Sequence, residues 1–277
     1  MAKYSIEDLY SVFNKIDRYF YEEDGGNGGR VEKADGLIYQ YCPYHSSLKT
    51  GFCNDYYEMA RSGIIILLEN LEKYNLEYDK LAEYAILFLS YKLNQHSEHK
   101  YKSTNLNTFY TKYIEKNEHY NNNKINDNGP TYKDIIDKKK DLMNMNIKER
   151  SKFNDPFSIL CKLYNEIKNN KLDCKNYSKY PEDFANKFKE LNNDSNINGN
   201  TSYSKLLSTL SDDYNHLKNN YGNNNSCNFP PLPKVKTPPS KLIPALSTFS
   251  VIPVFLGIAY KAIFKKKIKK SKEEHEN

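Results

Sequence analysis

The most constraining feature of this sequence is an apolar run near its end, residues 242–260, which contains no charged residue. If Lys261 snorkels to a membrane surface, the run extends over residues 242–264. Because an α-helix of about 20 residues crosses the hydrocarbon core of a bilayer, this stretch predicts one transmembrane helix. Pro244 and Pro253 disfavour the alternative, a buried core helix, since an interior proline costs a soluble helix about 3 kcal/mol.

The positive charge of the chain is concentrated around this run. The net charge is +6, yet residues 1–233 carry a net charge of −1, so the whole excess lies beyond them. Positive charge at both ends of an apolar run favours binding to a lipid bilayer and argues against nucleic acid as a partner. The basic residues predicted to flank the membrane are Lys241, Lys261, Lys265, Lys266, Lys267, Lys269 and Lys270.

The apolar run divides the chain into four predicted segments. Residues 1–221 form a domain, 222–241 a Pro-rich extended stalk, 242–264 the transmembrane helix and 265–277 a basic cytoplasmic tail. The positive-inside rule places the tail in a cytoplasm and the domain outside it. The first residues, MAKYSIEDLYSVF, do not resemble a secretory signal, and a tail-anchored route would instead leave the domain in the cytosol.

The domain 1–221 is predicted to be helical. Its apolar side chains recur at spacings of three and four residues, which is the period of an amphipathic helix. The segment 80–93 is apolar around most of its girth and is predicted to be a central helix, while Asp155 and Pro156 predict the start of another. Residues 22–30, EEDGGNGGR, are interpreted as a flexible loop. Without any sustained strand alternation, the pattern indicates an all-α helical bundle.

Four of the five cysteines form two pairs by local spacing. Ten residues separate Cys42 from Cys53, and twelve separate Cys161 from Cys174. If the domain lies outside the cytoplasm, each pair predicts a disulfide that contributes about 2–4 kcal/mol to stability. Other pairings and fully reduced thiols stay open, because spacing does not fix connectivity. The fifth cysteine, Cys227, lies close to the predicted membrane span.

The sequence contains no motif typical of catalysis, cofactor binding or a metal centre. His96 and His99 lie in HSEH rather than HExxH and are interpreted as solvated side chains. The GGNGG segment, residues 25–29, is not followed by Gly-Lys-Ser/Thr and is interpreted as a turn rather than a phosphate-binding loop. We therefore predict no catalytic, cofactor-binding or metal-binding residue.

Aromatic residues near the first cysteine pair are candidates for contacting a protein partner. Most Tyr and Phe residues fall on the helical faces and are expected in the core. The segments YQYCPY (39–44) and NDYY (54–57) are instead in loops or near a helix start. Aromatic side chains in such positions can anchor a partner, so a protein is the expected ligand class.

Several segments, in order along nearly the whole chain, together carry a resemblance to a known family. They are DGLIYQYCP (35–43), DKKKDLMNMNIKERSKF (137–153), SILCKLYNEI (158–167), KELNNDSNINGNTSYSKLLSTLSDDYNHLKNN (189–220), CNFPPLP (227–233) and SKLIPALSTFSVIPVFLGIAYKAIF (240–264). The most specific segment is FLGIAYK, within the predicted anchor, and a composition rich in Lys, Asn and Tyr agrees with an A/T-biased genome. In these segments the chain resembles the Plasmodium interspersed repeat (PIR) variant antigens, called yir, bir and cir in rodent malaria parasites.

The resemblance implies a multigene family of variant proteins exported to the infected red cell or to another parasite–host interface. It also implies a helical ectodomain, one C-terminal anchor and a short cytoplasmic tail, with no enzymatic activity. We therefore expect a single-pass membrane antigen that binds a host molecule or evades antibodies. The alternative is an internal membrane protein of the parasite or its vacuole with a structural or trafficking role.

Overall fold

The computed structural model describes residues 5–168, 179–222 and 228–238 of the chain. These residues belong to one compact unit, Met1–Pro238. The predicted transmembrane helix, the predicted tail and the seven membrane-flanking lysines lie outside the described residues and stay predictions. Cys174 and Cys227 lie outside them as well.

Three long helices near the N-terminus provide much of the core. They are α1 (Ile6–Asp17), α2 (Tyr56–Glu72) and α3 (Tyr78–Gln95). The segment 80–93, predicted as a central helix, lies within α3, which is buried around nearly its whole girth. The Ser5 hydroxyl accepts a hydrogen bond from the backbone N–H of Asp8 and so caps the start of α1.

The other helices surround this core. The longest, α8 (Ile147–Lys168), packs against both α1 and α3. Short 3-10 helices span Ile38–Tyr41 and Lys140–Asn144, and a π-helical turn spans Tyr110–Ile114. The remaining described helices are α4 (His99–Lys102), α5 (Leu106–Phe109), α6 (Glu118–Asn122), α7 (Tyr132–Asp137), α9 (Lys179–Asn193), α10 (Ser195–Asn198) and α11 (Thr201–Tyr221).

Two antiparallel β-ribbons correct the prediction of a purely helical domain. Strands β1 (Phe20–Gly26) and β2 (Gly29–Ala34) pair across the segment that was interpreted as a flexible loop. Asn27 and Gly28 both have positive φ, 51° and 75°, as the central residues of a tight hairpin turn require. A second, shorter ribbon joins β3 (Tyr44–His45) to β4 (Thr50–Gly51). The fold is therefore mostly helical with two small ribbons.

Helix α8 begins earlier than predicted and continues through a proline. The sequence placed a helix start at Asp155 and Pro156, whereas Pro156 lies inside α8. Proline cannot donate the backbone hydrogen bond at its own position. The helix continues because Phe153 and Phe157, on either side of the proline, are both buried in the core. The side chain of Asn146 accepts the N–H of Glu149 and caps the true start.

The described part of the predicted stalk, residues 228–238, lies on the helical domain. Phe229 is buried in the core, and the hydroxyl of Tyr214 donates a hydrogen bond to the carbonyl of Pro230 at 2.9 Å. The side chain of Asn192 bonds the carbonyl of Lys234 at 2.9 Å and the N–H of Lys236 at 2.7 Å. The compact unit therefore runs past residue 221, because Asn192 pairs the backbone of this segment much as a neighbouring strand would.

Candidate interaction surface

Residues 37–53, which we call the disulfide loop, connect the first ribbon to α2. The loop starts with an Asx turn, in which the Asp35 carboxylate accepts the N–H of Leu37 at 2.9 Å. Ile38 is fully buried, and its carbonyl accepts a hydrogen bond from the hydroxyl of Ser62 on α2. One side of the loop is thus fixed to the core, and the other side is free to face solvent.

Cys42 and Cys53 are joined by a disulfide with their Cα atoms 5.0 Å apart, which closes the loop at its base. Between them, β3 and β4 pair Tyr44 with Gly51. A side chain at Gly51 would overlap the backbone carbonyl oxygens of Tyr39 and Cys42, so the close approach of β4 to the 3-10 helix requires glycine. The disulfide and this contact together hold the hairpin in one position against the 3-10 helix Ile38–Tyr41.

Apolar side chains are unusually exposed on this loop. The exposed fractions are 73% for Tyr44, 52% for Leu48, 48% for Leu37 and 39% for Phe52. Phe52 stacks on the ring of Tyr39 with the ring centroids 5.8 Å apart. The large exposed apolar residues elsewhere in the described chain are Tyr21, Val31 and Ile147, so the loop carries most of them. Such a concentration of apolar surface is typical of a protein contact site.

A cavity of about 610 Å³ lies between the disulfide loop and residues 116–119. Arg61 of α2 lines it, although the Arg61 side chain is almost fully buried. A terminal guanidinium nitrogen of Arg61 donates to the carbonyl of Tyr41 at 2.9 Å, while its Nε has no hydrogen-bond partner. Lys116 and His119 line the same cavity, and His119 also packs edge-on against the ring of Tyr41.

The two aromatic segments proposed as partner anchors divide between surface and core. Tyr44 is the most exposed of them, whereas Tyr41 and Tyr56 are buried. The Tyr56 hydroxyl donates to the carbonyl of Lys92, and the Tyr57 ring packs on Tyr101 with the ring centroids 4.5 Å apart. Tyr56 and Tyr57 therefore serve the packing of α2, and the exposed aromatic side chain of these two segments, Tyr44, lies on the disulfide loop.

The predicted Cys161–Cys174 disulfide is wrong as far as Cys161 is concerned. Cys161 is a free thiol in the middle of α8, and it is buried in the core. Burial also raises the pKa of the Cys161 thiol, because the thiolate would lose its hydration. Cys161 lies on the side of α8 that faces the core. The spacing of cysteines along the sequence does not reveal this orientation.

One buried carboxyl group lies at the centre of the helical core. The Asp213 side chain of α11 accepts hydrogen bonds from the hydroxyls of Tyr10, at 2.8 Å, and Tyr84, at 3.0 Å. Burial raises the pKa of the Asp213 carboxyl to about 7, and the two phenol donors oppose this rise only in part. Because Asp213 is almost fully enclosed, we assign this group to the packing of α1, α3 and α11.

His96 is buried, contrary to the interpretation of a solvated side chain, whereas His99 is exposed. The Nε2 of His96 lies 3.0 Å from a carboxylate oxygen of Glu32, and the Nδ1 of His96 accepts the N–H of Glu98 at 3.1 Å. Glu32, His96 and Glu98 have ligand atoms close enough together for a metal ion. Both ring nitrogens already have hydrogen-bond partners, however, so the geometry favours a structural link between the first ribbon and the end of α3.

Comparison with known proteins identifies the family. The model of the Plasmodium variant antigen protein Cir/Yir/Bir matches residues 10–261, which is most of the chain. The chain belongs to the Cir/Yir/Bir variant antigen family. A solved structure of a Plasmodium PIR protein ectodomain is 33% identical in sequence, with a TM-score of 0.57. That match covers 83% of this chain and 100% of the ectodomain chain, and the comparison with curated proteins finds no match.

Membership of the Cir/Yir/Bir family agrees with the resemblance carried by the sequence segments and with the mostly helical, PIR-ectodomain-like fold. Among the described residues, no helix is both long and apolar enough to cross a membrane. The predicted span at 242–264 lies outside those residues.

Sequence reasoning pointed to the disulfide loop through Cys42 and Cys53. It missed Arg61, because Arg61 is a single charged residue within an apolar stretch of α2.

Proposed function

We propose that this chain is a membrane-anchored variant antigen whose helical domain faces the host and contacts a host protein through the disulfide loop. It performs this role without catalysis. Its location is the infected host cell or another parasite–host interface, with the N-terminal domain outside the cytoplasm. The observation that carries the proposal is the exposure of apolar side chains on the disulfide loop, namely Leu37, Tyr44, Leu48 and Phe52.

The exposed apolar groups of this loop suit a binding role because they are held rigidly. Protein interfaces derive most of their binding energy from a few anchors, with aromatic side chains strongly represented. Anchors that are already ordered before binding lose little conformational entropy when the complex forms. The Cys42–Cys53 disulfide and the close contact at Gly51 provide this order for Tyr44 and Phe52.

The proposed membrane anchor is supported by the sequence and by the family. The apolar run 242–260 is uncharged and is followed by a dense group of lysines. The family match continues through this run to residue 261. A variant antigen needs a surface that can change in sequence and a scaffold that keeps its fold. A surface loop tolerates changes in sequence, and the helical core to which a disulfide fixes the loop keeps its fold.

Binding to host cells tests the role of the disulfide loop. Recombinant protein of residues 1–238 is applied to host red cells and leukocytes as the unmodified form and as a Tyr44→Ser, Leu48→Ser double variant. The double variant should bind at least tenfold more weakly, because it removes two exposed apolar anchors. The matched control is Tyr21→Ser, Val31→Ser, which removes similarly exposed residues from the first ribbon. Equal binding by all three proteins, or equal loss in both variants, would refute the assignment of this loop.

A further inference from the structure

We propose that the cavity beside the disulfide loop binds the carboxylate side chain of an acidic segment in a partner protein. This inference rests on the proposed function and specifies the chemistry of the partner. Its centre is Arg61, whose buried side chain has an Nε without a hydrogen-bond partner and lines the cavity. A buried cation is costly unless a counter-charge or several acceptors compensate for its lost hydration.

The other buried cations of the described chain have more acceptors than Arg61. The Nζ of Lys92 lies 2.8 Å from a carboxylate oxygen of Asp17, and the Nζ of Lys139 lies 2.9 Å from one of Glu83. Arg150 has no carboxylate partner and its Nε is also unpartnered, but its two terminal nitrogens both donate to backbone carbonyls. The guanidinium of Arg61 donates to one backbone carbonyl, that of Tyr41. No carboxylate among the described residues lies within ion-pair distance of Arg61.

The surroundings of Arg61 favour an anion. Lys116 lines the same cavity as a second cation, and Glu118 is the one acidic side chain in its described lining. The disulfide loop contains no Asp or Glu between residues 37 and 53, so it adds no negative charge to the cavity. A carboxylate that enters the cavity would therefore meet a positive field and the planar donor fork of an arginine, which matches carboxylate geometry.

The shape of the site favours a carboxylate that belongs to a protein. The cavity volume of about 610 Å³ accommodates an Asp or Glu side chain together with water. Its rim contains the exposed ring of Tyr44, and the apolar side chains of Leu48 and Phe52 continue the same loop. An acidic residue with apolar neighbours would place its charge in the cavity and its neighbours on the loop.

Peptide binding to the full-length protein in lipid nanodiscs tests the proposal. The probe is a rhodamine-labelled octapeptide of alternating glutamate and leucine, and its control has glutamine at every glutamate position. The glutamate peptide should bind at least tenfold more tightly than the control. Lys116→Gln, an exposed change, should weaken that binding about three- to tenfold, while Lys102→Gln, an exposed change outside the cavity, should leave it unchanged. Arg61→Lys keeps the charge but loses the fork and should cost about tenfold or more.

Several outcomes would overturn the proposal. They are equal binding of the two peptides, unaltered binding by the Lys116→Gln variant, and displacement of the peptide by sialyllactose at lower concentration than by free glutamate. The last outcome would make a glycan the ligand. These results are separable from the proposed function, because host-cell binding that depends on Tyr44 and Leu48 can persist while the glutamate peptide fails to bind.

Discussion

The Asp213 carboxyl group makes the stability of the helical core depend on pH. The pKa of Asp213 is raised by burial from 3.8 to about 7 in the folded protein. The folded state therefore binds a proton more tightly than the unfolded chain. The resulting stabilisation is fully present below the unfolded pKa and is lost as the pH rises through about 7.

We expect the free energy of unfolding of residues 1–238 to fall between pH 5 and pH 7 because of this group, by at most about 1.4 kcal/mol per pH unit. Asp213→Asn should remove this component, so the stability difference between the two proteins should shrink or reverse with rising pH. Urea unfolding of both proteins at several pH values measures this difference in the free energy of unfolding. Asp127→Asn, an exposed substitution, is the control and should leave the slope unchanged. A pH-independent difference between Asp213→Asn and the unmodified protein would contradict the assignment.

Cys161 is expected to be inert in the folded protein. Its thiol is buried and its pKa is raised, so the reactive thiolate is both scarce and inaccessible. Iodoacetamide should modify Cys161 only after unfolding, whereas Cys42 and Cys53 should require reduction first. Peptide mapping without reductant decides both points. Alkylation of Cys42 in unreduced protein, or a peptide in which Cys161 is disulfide-linked, would show that the cysteine arrangement is different.

At the scale of elements, the long helices were predictable and the ribbons were not. Helices α1 and α11 each bury one broad face, so their apolar residues recur at helical spacing, and α3 is recognisable because it is apolar around most of its girth. The strands β1 and β2 are largely exposed, and their sequence is too acidic and too rich in glycine to alternate visibly. The Asn27-Gly28 pair was a usable hairpin signal in that segment.

Contacts between distant parts of the chain explain the remaining differences. Nothing local indicates that Asn192 bonds the backbone at residues 234 and 236, so the sequence of the Pro-rich segment predicts an extended stalk. The same holds for the candidate site. The spacing of Cys42 and Cys53 drew attention to the loop, whereas the burial of Arg61 depends on how α2 packs.

A methyl group at Gly51 should disturb the disulfide loop. Gly51→Ala would place the new carbon against the carbonyl oxygen of Tyr39, so β4 must move away from the 3-10 helix. We expect the free energy of unfolding to fall by about 1–3 kcal/mol, as for other overpacked sites. Gly36→Ala is the matched control, since no atom lies within 4 Å of its added carbon, and its effect should stay within about 0.5 kcal/mol. Similar stabilities for both variants would show that the loop is not held at Gly51.

The proposed topology requires a single membrane anchor at residues 242–264. Deletion of these residues should release the protein from carbonate-washed membranes, because no other long uncharged apolar run exists in the sequence. Deletion of residues 271–277 is the control and should leave the protein in the membrane fraction. Sedimentation of the anchor deletion with washed membranes would disprove a single-span attachment.

Protease treatment of intact infected cells tests whether the helical domain faces the host. An epitope tag at the N-terminus reports on the helical domain, and a second tag after residue 277 reports on the tail. If the domain faces the host, protease should destroy the N-terminal tag without permeabilisation while the C-terminal tag survives. If the N-terminal tag is lost only after permeabilisation, the domain lies inside, and the protein is an internal membrane component rather than a displayed antigen.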